Sequence, residues 1–215
     1  MEKSALVYIV LTAVTLVFGC FVSNSAYTAG YLSGRRLPGA CVGYDRQQAR
    51  NLVAEIAIFG LLFGVSACRI AVGGDYWVYW LNFQLIDQGR HVSYEKGFVA
   101  LVKFFHLIFG EGSYLPIFGF FALITVLFFL KSLHDQADWY VMSLFLLLTE
   151  GFYFNSMNSV RYYFALALAI YAQKYVLRGE YGKFILWVLL GATIHKSVLL
   201  VIPAYIVADL SLIHI

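Results

Sequence analysis

Apolar residues recur along the chain in six long runs, which shorter polar segments separate. A transmembrane helix needs about 20 predominantly apolar residues to cross about 30 Å of hydrocarbon. The pattern therefore predicts an all-α, polytopic transmembrane bundle of about six spanning helices. Within the second run, Gly60 and Gly64 form a small-xxx-small pair, which predicts close helix packing. The predicted spans are residues 5–22, 52–72, 114–130, 139–154, 160–177 and 184–207.

A half-polar region, residues 75–112, lies between the second and third runs. Its apolar piece, residues 98–109, is only about 12 residues long and carries Lys103 and His106. That length is too short to span a bilayer comfortably. We therefore expect a short interfacial or re-entrant helix here.

Composition supports the membrane assignment. The 215 residues are 61% hydrophobic and 13% charged, whereas soluble domains average about 45–50% apolar and about 25% charged residues. A water-soluble enzyme, a nucleic-acid-binding domain and a disordered chain are thereby excluded. The net charge of +3 is too small to indicate a polyanionic partner. The chain has no internal repeat or linker, so residues 1–215 are predicted to form one transmembrane domain.

Cysteine spacing gives no sign of a metal site or a disulfide. Cys20, Cys41 and Cys68 form no C-x-x-C pair and are odd in number. We expect neither a metal nor another cofactor.

The distribution of Lys and Arg predicts the orientation in the membrane, because basic residues concentrate in cytoplasmic loops. If residues 23–50 lie inside, the inner loops hold eight basic residues, among them Arg35 and Arg36, and four acidic residues. The outer segments then hold six of each. We therefore expect both chain ends and the polar region 75–112 to lie outside.

Arg69 and Asp75 flank Gly73-Gly74 near the outer end of the second run. Glycine tolerates the turn that ends a helix, so the pair predicts a helix end there. Arg69 and Asp75 would then face one cavity from two sides. The alternative is an Arg69 that snorkels to water and an Asp75 that caps the next helix.

Aromatic residues follow Asp75 at helical spacing, namely Tyr76, Tyr79, Trp80 and Phe83. Such a stripe suits stacking on sugar faces, and it equally suits the aromatic belt of a membrane interface. Glu95 follows in the outer loop, where it is either a functional carboxylate or a solvated one.

Arg161 is predicted in the first turn of the fifth span, after polar residues 155–159 that include Asn158. A cation there opposes the helix dipole, whereas an anion bound to both the helix N–H groups and the guanidinium would resolve the conflict. His195 and Lys196 lie within the last apolar run, where ionisable groups are costly. Proton transfer, anion binding and simple hydrogen-bonded packing all remain open for His195.

In their order along the chain, these clusters resemble the EpsG family, Wzy-like integral membrane proteins of exopolysaccharide assembly. The resemblance runs from about residue 52 to 208. Family members tend to carry Arg-Gln where this chain has Arg161-Tyr162, so no role is transferred to that position. The matching motifs are Arg69 with Gly74-Asp75-Tyr76 and Tyr79, Glu95-Lys96-Gly97-Phe98, Asn158-Ser159-Val160-Arg161, and His195-Lys196-Ser197.

The resemblance implies a polymerase that joins lipid-linked oligosaccharide repeat units at the outer face of the bacterial inner membrane. Asp75 is then the first candidate for the catalytic base and His195 the second, while Arg69 and Arg161 bind pyrophosphate. The implied partners are a polyprenyl-pyrophosphate-linked oligosaccharide, membrane lipid and other exopolysaccharide assembly proteins, with no nucleic acid. The further glycan- or pyrophosphate-binding candidates are Tyr76, Tyr79, Trp80, Glu95, Asn158 and Lys196.

Two alternatives are weighed against the polymerase. A non-catalytic transporter, flippase or accessory component of the same assembly would need the arginines and aromatics but no base. An intramembrane serine hydrolase is disfavoured, because the nearest string, Gly64-Val65-Ser66-Ala67, lacks the second glycine of the Gly-x-Ser-Gly setting. Members of the EpsG family, which this chain resembles, have further helices after the motif that contains His195. We therefore expect this chain to be part of a longer protein.

Overall fold

The computed structural model describes residues 2–22, 46–205 and 207. These residues form ten helices and no strand, as the predicted all-α class requires. Arg35, Arg36 and Cys41 of the predicted inner loop lie outside the described residues. The helices are α1 Glu2–Gly19, α2 Arg46–Ala67, α3 Tyr76–Asp87, α4 Lys96–Phe109, α5 Tyr114–Gln136, α6 Tyr140–Thr149, α7 Phe152–Ser156, α8 Val160–Val176, α9 Tyr181–Ala192 and a 3₁₀ helix, Lys196–Leu200, which residues 201–205 continue as α-helix.

All six predicted spans contain helix, but only two form single helices of sufficient length and apolar character to cross a membrane. These two are α2 and α5. The fourth and sixth predicted spans are broken. Gly151, whose φ is +79°, separates α6 from α7, and residues 193–195 separate α9 from the 3₁₀ helix. Of the six predicted spanning helices, only α2 and α5 are therefore supported as continuous spans among the described residues.

The helix ends correct one sequence prediction. We expected Gly73-Gly74 to end the second span, but α2 ends at Ala67. Arg69 consequently lies in the link between α2 and α3 rather than on the helix. The short piece predicted at residues 98–109 does form a helix, α4, of 14 residues.

Helix α8 lies at the centre of the bundle and packs against both α5 and α9. Its small buried residues, including Ala165, permit close approach: a Cβ built on Gly191 of α9 would lie 3.3 Å from the Ala165 Cα. Gly60 and Gly64 do not pack in this way. A Cβ on either would meet nothing within 4 Å among the described residues, so the close packing predicted there is not seen in this part of the chain.

Aromatic side chains form the core where α3, α4 and α5 meet. Phe83, Phe98, Phe118 and Phe121 are each 1% exposed, and the Phe83 ring stacks on Phe98 with centroids 6.1 Å apart. Buried aromatic pairs of this kind stabilise by about 0.5–1.5 kcal/mol beyond the area they bury. This core fixes the starts of α3 and α4 relative to α5.

Two ion pairs lie at the opposite end of the bundle, near the last turns of α5 and α8. Lys174 Nζ is 2.6 Å from Asp135 Oδ2, and both side chains are nearly buried. His134 Nδ1 is 2.8 Å from Glu55 Oε1. Charges buried in pairs cost less than charges buried alone, so these contacts join α5 to α8 and to α2.

Candidate functional site

The sequence-predicted polar residues gather at one end of the bundle. The link after α2, the starts of α3, α4 and α8, and the break after α9 all contribute to it. We call this region the site end. It contains Arg69, Asp75, Glu95, Arg161 and His195.

Glu95 and Arg161 form the central ion pair of the site end. The distance from Arg161 Nη1 to Glu95 Oε2 is 2.5 Å, and the two side chains are 15% and 17% exposed. The backbone N–H of Lys196 donates to the other carboxylate oxygen, Glu95 Oε1, at 3.2 Å. Burial acts to raise the pKa of Glu95, but hydrogen bonds from its own backbone and from Lys196, together with the Arg161 charge, lower the pKa overall. Glu95 is therefore an ionised acceptor, and its interpretation as a free loop carboxylate does not fit this geometry.

A close backbone contact holds Glu95 beside the α9 break. A Cβ built on Gly97 would lie 2.4 Å from the Thr193 carbonyl oxygen and 2.8 Å from the Thr193 Cβ. No side chain fits in that space, so the first turn of α4 approaches residues 193–195 only because residue 97 is glycine.

His195 lies beside the Arg161–Glu95 ion pair. Its Nδ1 is buried without a hydrogen-bond partner among the described residues and stands 3.9 Å from Glu95 Oε1. The Tyr162 ring meets the imidazole edge-on, with centroids 5.8 Å apart. Burial lowers the pKa of His195, the Arg161 charge lowers it further, and Glu95 opposes both. The imidazole is therefore neutral near pH 7, which is the form that accepts a proton.

Asp75 directly precedes α3 and contacts the residues that precede α8. Its backbone N–H donates to Asn158 Oδ1 at 3.0 Å, and its Oδ2 accepts the Ser159 hydroxyl at 3.4 Å. The carboxylate makes no capping hydrogen bond to α3, so the helix-cap alternative is not what the structure shows. Within the described residues no cation lies within 4 Å of it, and the carboxylate remains available as an acceptor.

Arg69 is 5% exposed, although the sequence left open that it snorkels to water. Its guanidinium carbon lies 4.9 Å from the Phe118 ring centroid, and its Nε is buried with no hydrogen-bond partner in residues 2–22, 46–205 and 207. Burial lowers its pKa to about 10, so the group is still a cation at pH 7. No carboxylate of the described residues lies within 4 Å. A buried cation in this condition favours an anionic ligand.

The aromatic stripe divides between core and surface. Tyr76 and Tyr79 are 9% and 6% exposed and belong to the aromatic core, and Tyr76 stacks on Phe118. Trp80 is half-buried beside Tyr114. Of the three aromatic side chains among the predicted glycan- or pyrophosphate-binding residues, Trp80 alone is more than marginally accessible.

Asn158 and Lys196 reach the site end through different groups. Asn158 contacts Asp75 through its side-chain oxygen, and a Cβ on Gly73 would lie 3.1 Å from that oxygen. Lys196 contributes its backbone N–H to Glu95, while its side chain is exposed. The Asn158 side chain therefore holds the backbone of Asp75 in position, and the Lys196 backbone N–H holds the carboxylate of Glu95.

Tyr94 was not among the predicted site residues. Its ring lies under the Arg161 guanidinium, with 3.8 Å between the guanidinium carbon and the ring centroid. Burial raises the pKa of its hydroxyl, on which the charges of Arg161, Asp75 and Glu95 also act. Tyr94 thus stands among the three charged groups. Its position directly before Glu95 in the matched motif was the available signal.

Comparison with known proteins adds one finding. A model of the group described as the EpsG family matches residues 53–215, which cover all the site-end residues. No curated protein and no solved structure matches the chain.

Proposed function

Because the chain belongs to the EpsG family, we propose that its site end transfers a growing glycan between lipid-linked oligosaccharides. Family membership implies a role in exopolysaccharide biosynthesis, and α2 and α5 have the length and composition of membrane spans. The proposed reaction is polymerisation of repeat units at the outer face of the bacterial inner membrane. The substrates are oligosaccharides linked to a polyprenyl pyrophosphate.

The observation that carries this proposal is the pair of incompletely bonded guanidinium groups. Arg69 and Arg161 each have a buried Nε with no hydrogen-bond partner in the part of the chain that the structure describes, and Arg161 stands at the uncapped start of α8. Donors left unsatisfied in this way are costly unless a ligand accepts from them. A pyrophosphate offers several oxygens, and guanidinium groups bind phosphate oxygens in pairs.

The chemistry follows from that placement. An acceptor hydroxyl attacks the anomeric carbon that links the growing glycan to pyrophosphate, and the new glycosidic C–O bond forms as the bond to pyrophosphate breaks. The leaving pyrophosphate takes the electron pair of that bond, and Arg69 and Arg161 stabilise its charge. The acceptor's proton passes to a base on the protein.

Asp75 is the proposed base. It is the site-end carboxylate without a cationic partner in the described residues, whereas Glu95 is bound to Arg161. Ser159 and Asn158 fix the position of Asp75 without neutralising it. His195, neutral near pH 7, is the second candidate.

The test is polymerisation of lipid-linked repeat units by the protein in proteoliposomes. Asp75→Asn keeps the shape of the side chain, and its backbone bond to Asn158 is unaffected, but it removes the base. We expect the rate to fall by about 10²-fold or more. Glu111→Gln, which removes an exposed carboxylate at the turn before α5, is the matched control and should leave the rate unchanged.

Binding of the lipid-linked repeat unit distinguishes the polymerase from a non-catalytic carrier. For a polymerase, Asp75→Asn abolishes product while binding persists. If Asp75→Asn and His195→Gln together leave polymerisation intact, the catalytic assignment is overturned. If the unmodified protein binds and translocates the substrate without lengthening it, the protein is a transporter or accessory component of the same assembly.

A further inference from the structure

A second basic pocket lies beside the site end, between the residues that follow α3 and the first turns of α4. It has a volume of about 390 Å³. Four of its lining residues, Arg90, His91, Lys96 and Lys103, are basic or ionisable to a cation, and no acidic side chain lines it in the described part of the chain. Three formal positive charges therefore border one pocket, and the proposed catalytic site uses none of them, although Lys96 belongs to the matched Glu95-Lys96-Gly97-Phe98 motif.

The nearby carboxylates do not neutralise this pocket. Glu95 turns away to Arg161, with 2.5 Å between the bonded atoms, and Asp87 pairs with the buried His106. The four pocket side chains are themselves exposed. The pocket is consequently suited to an anion with more than one negative charge.

The pocket and the catalytic site share one wall. The Tyr94 ring lines the pocket and also lies 3.8 Å from the Arg161 guanidinium carbon. Glu95 and Lys96 are consecutive, with Glu95 bonded to Arg161 and Lys96 lining the pocket. Two anions bound at the two sites would therefore be separated by little more than one aromatic ring.

The exposed face of α4 changes character along the helix. Lys96 and Lys103 lie near the pocket, and the face then continues with Phe104, Leu107 and Ile108, which are 56%, 85% and 56% exposed. A helix that exposes apolar side chains next to lysines is typical of a membrane interface, where the lysines lie at the level of the phosphate groups.

We propose that this pocket binds the diphosphate of a second lipid-linked substrate and that the apolar face of α4 lies against its polyprenyl chain. The inference rests on the proposed function, because a transfer between two lipid-linked glycans needs one diphosphate site for the donor and another for the acceptor. Arg69 and Arg161 serve the donor. The charge of the pocket fits a diphosphate better than a phospholipid headgroup, whose phosphodiester carries a single negative charge.

The experiment measures how many molecules of a radiolabelled polyprenyl diphosphate bind to each molecule of the purified full chain in detergent. We expect two for the unmodified protein. The triple variant R90Q/K96Q/K103Q should retain one, with affinity at the second site at least about tenfold weaker. Arg161→Gln should remove the other. The matched control K131Q/R178Q/K183Q removes three exposed cations from the opposite end and should still bind two.

The possible outcomes distinguish a failure of the inference about the pocket from a failure of the proposed function. The diphosphate retained by the triple variant reports that this variant is folded. Two molecules still bound by the triple variant would overturn the inference, as would displacement from the pocket by an equal concentration of phosphatidylglycerol. If the unmodified protein binds one molecule and only Arg161→Gln abolishes that binding, the inference about the pocket is overturned and the proposed function still stands. No binding at all overturns the proposed function itself.

Discussion

Arg161 is held at the site end by two different kinds of contact. Glu95 pairs with one nitrogen of its guanidinium group and the Tyr94 ring lies under it, whereas its Nε has no partner among the described residues. Cation–π contact with a partly desolvated aromatic ring stabilises such a group by about 1–2 kcal/mol. Arg161 is therefore positioned before any ligand arrives, and it keeps donors free. An arginine at a helix N-terminus, unfavourable by itself, is explained by this arrangement.

The pKa of His195 should report the balance between its two charged neighbours. Arg161 lowers that pKa and Glu95 raises it, while burial sets the overall downward direction. Arg161→Gln should therefore move the pKa upward, and Glu95→Gln should move it further down. Titration of ¹⁵N-labelled histidine by NMR measures both shifts.

The activity profile should follow if His195 is the base, with the acidic limb moving to higher pH in Arg161→Gln. Shifts of the same sign in the two variants would contradict the geometry, because opposite charges must act in opposite directions on one imidazole.

At the scale of elements, the site end depends on where helices stop. Helix α9 ends at Ala192 and the 3₁₀ helix begins at Lys196, so His195 sits in a break and its backbone is extended. The break turns the Lys196 N–H toward Glu95. In a continuous helix through these residues, the Lys196 N–H would donate to a carbonyl of the helix itself. Glu95 would then keep Arg161 as a partner but lose the Lys196 N–H.

Gly97→Ala should separate α4 from the α9 break. The new Cβ would stand 2.4 Å from the Thr193 carbonyl oxygen, a distance that only a backbone shift relieves. We expect a loss of about 1–3 kcal/mol in stability, measured as a lower thermal unfolding midpoint in detergent. The His195 pKa should also change, because Glu95 moves with α4.

Gly119→Ala is the matched control on α5. A Cβ there meets nothing within 4 Å, and alanine favours the helix by about 0.5–1 kcal/mol. Its unfolding midpoint should stay level or rise. Equal losses in the two variants would show that the contact between Gly97 and Thr193 is not what destabilises the first.

The helices and the order of the motifs were predictable from sequence, whereas the breaks and the close contacts were not. Hydropathy counts apolar residues but does not locate the residue where a helix stops, so α2 was expected to reach Gly73-Gly74 and ends at Ala67. The match to the EpsG family confirms the resemblance drawn from the motifs. The contact of Gly97 with Thr193 joins positions far apart in the chain, which one sequence cannot pair.

At the scale of the whole molecule, each end of the bundle has a salt bridge. Glu95 pairs with Arg161 at the site end, and Asp135 pairs with Lys174 at the other. Both arginine and lysine belong to α8, one in its first turn and one in its last. The central helix therefore carries a polar anchor at each end and buried alanines between them, as expected of a helix that passes from one surface to the other.

The cysteines offer a direct test of which end faces outward. Cys20 follows α1 and Cys68 follows α2, and both are exposed free thiols. Because α1 packs on α2 and the charge distribution predicts that the site end faces outward, we expect Cys68 to lie outside and Cys20 inside. In a Cys41→Ser background, a membrane-impermeant maleimide should label Cys68 in right-side-out spheroplasts. It should reach Cys20 only after permeabilisation.

Variants with one remaining cysteine, Cys20→Ser or Cys68→Ser, assign each signal to its thiol. Labelling of Cys20 alone would invert the topology and place Arg69, Asp75 and Arg161 at the cytoplasmic face, where polymerisation on the outer surface is impossible. Labelling of both would mean that α1 and α2 do not carry the chain across the membrane in opposite directions. Labelling of Cys68 alone would place the site end at the outer face, which is the orientation that the proposed polymerisation on the outer surface requires.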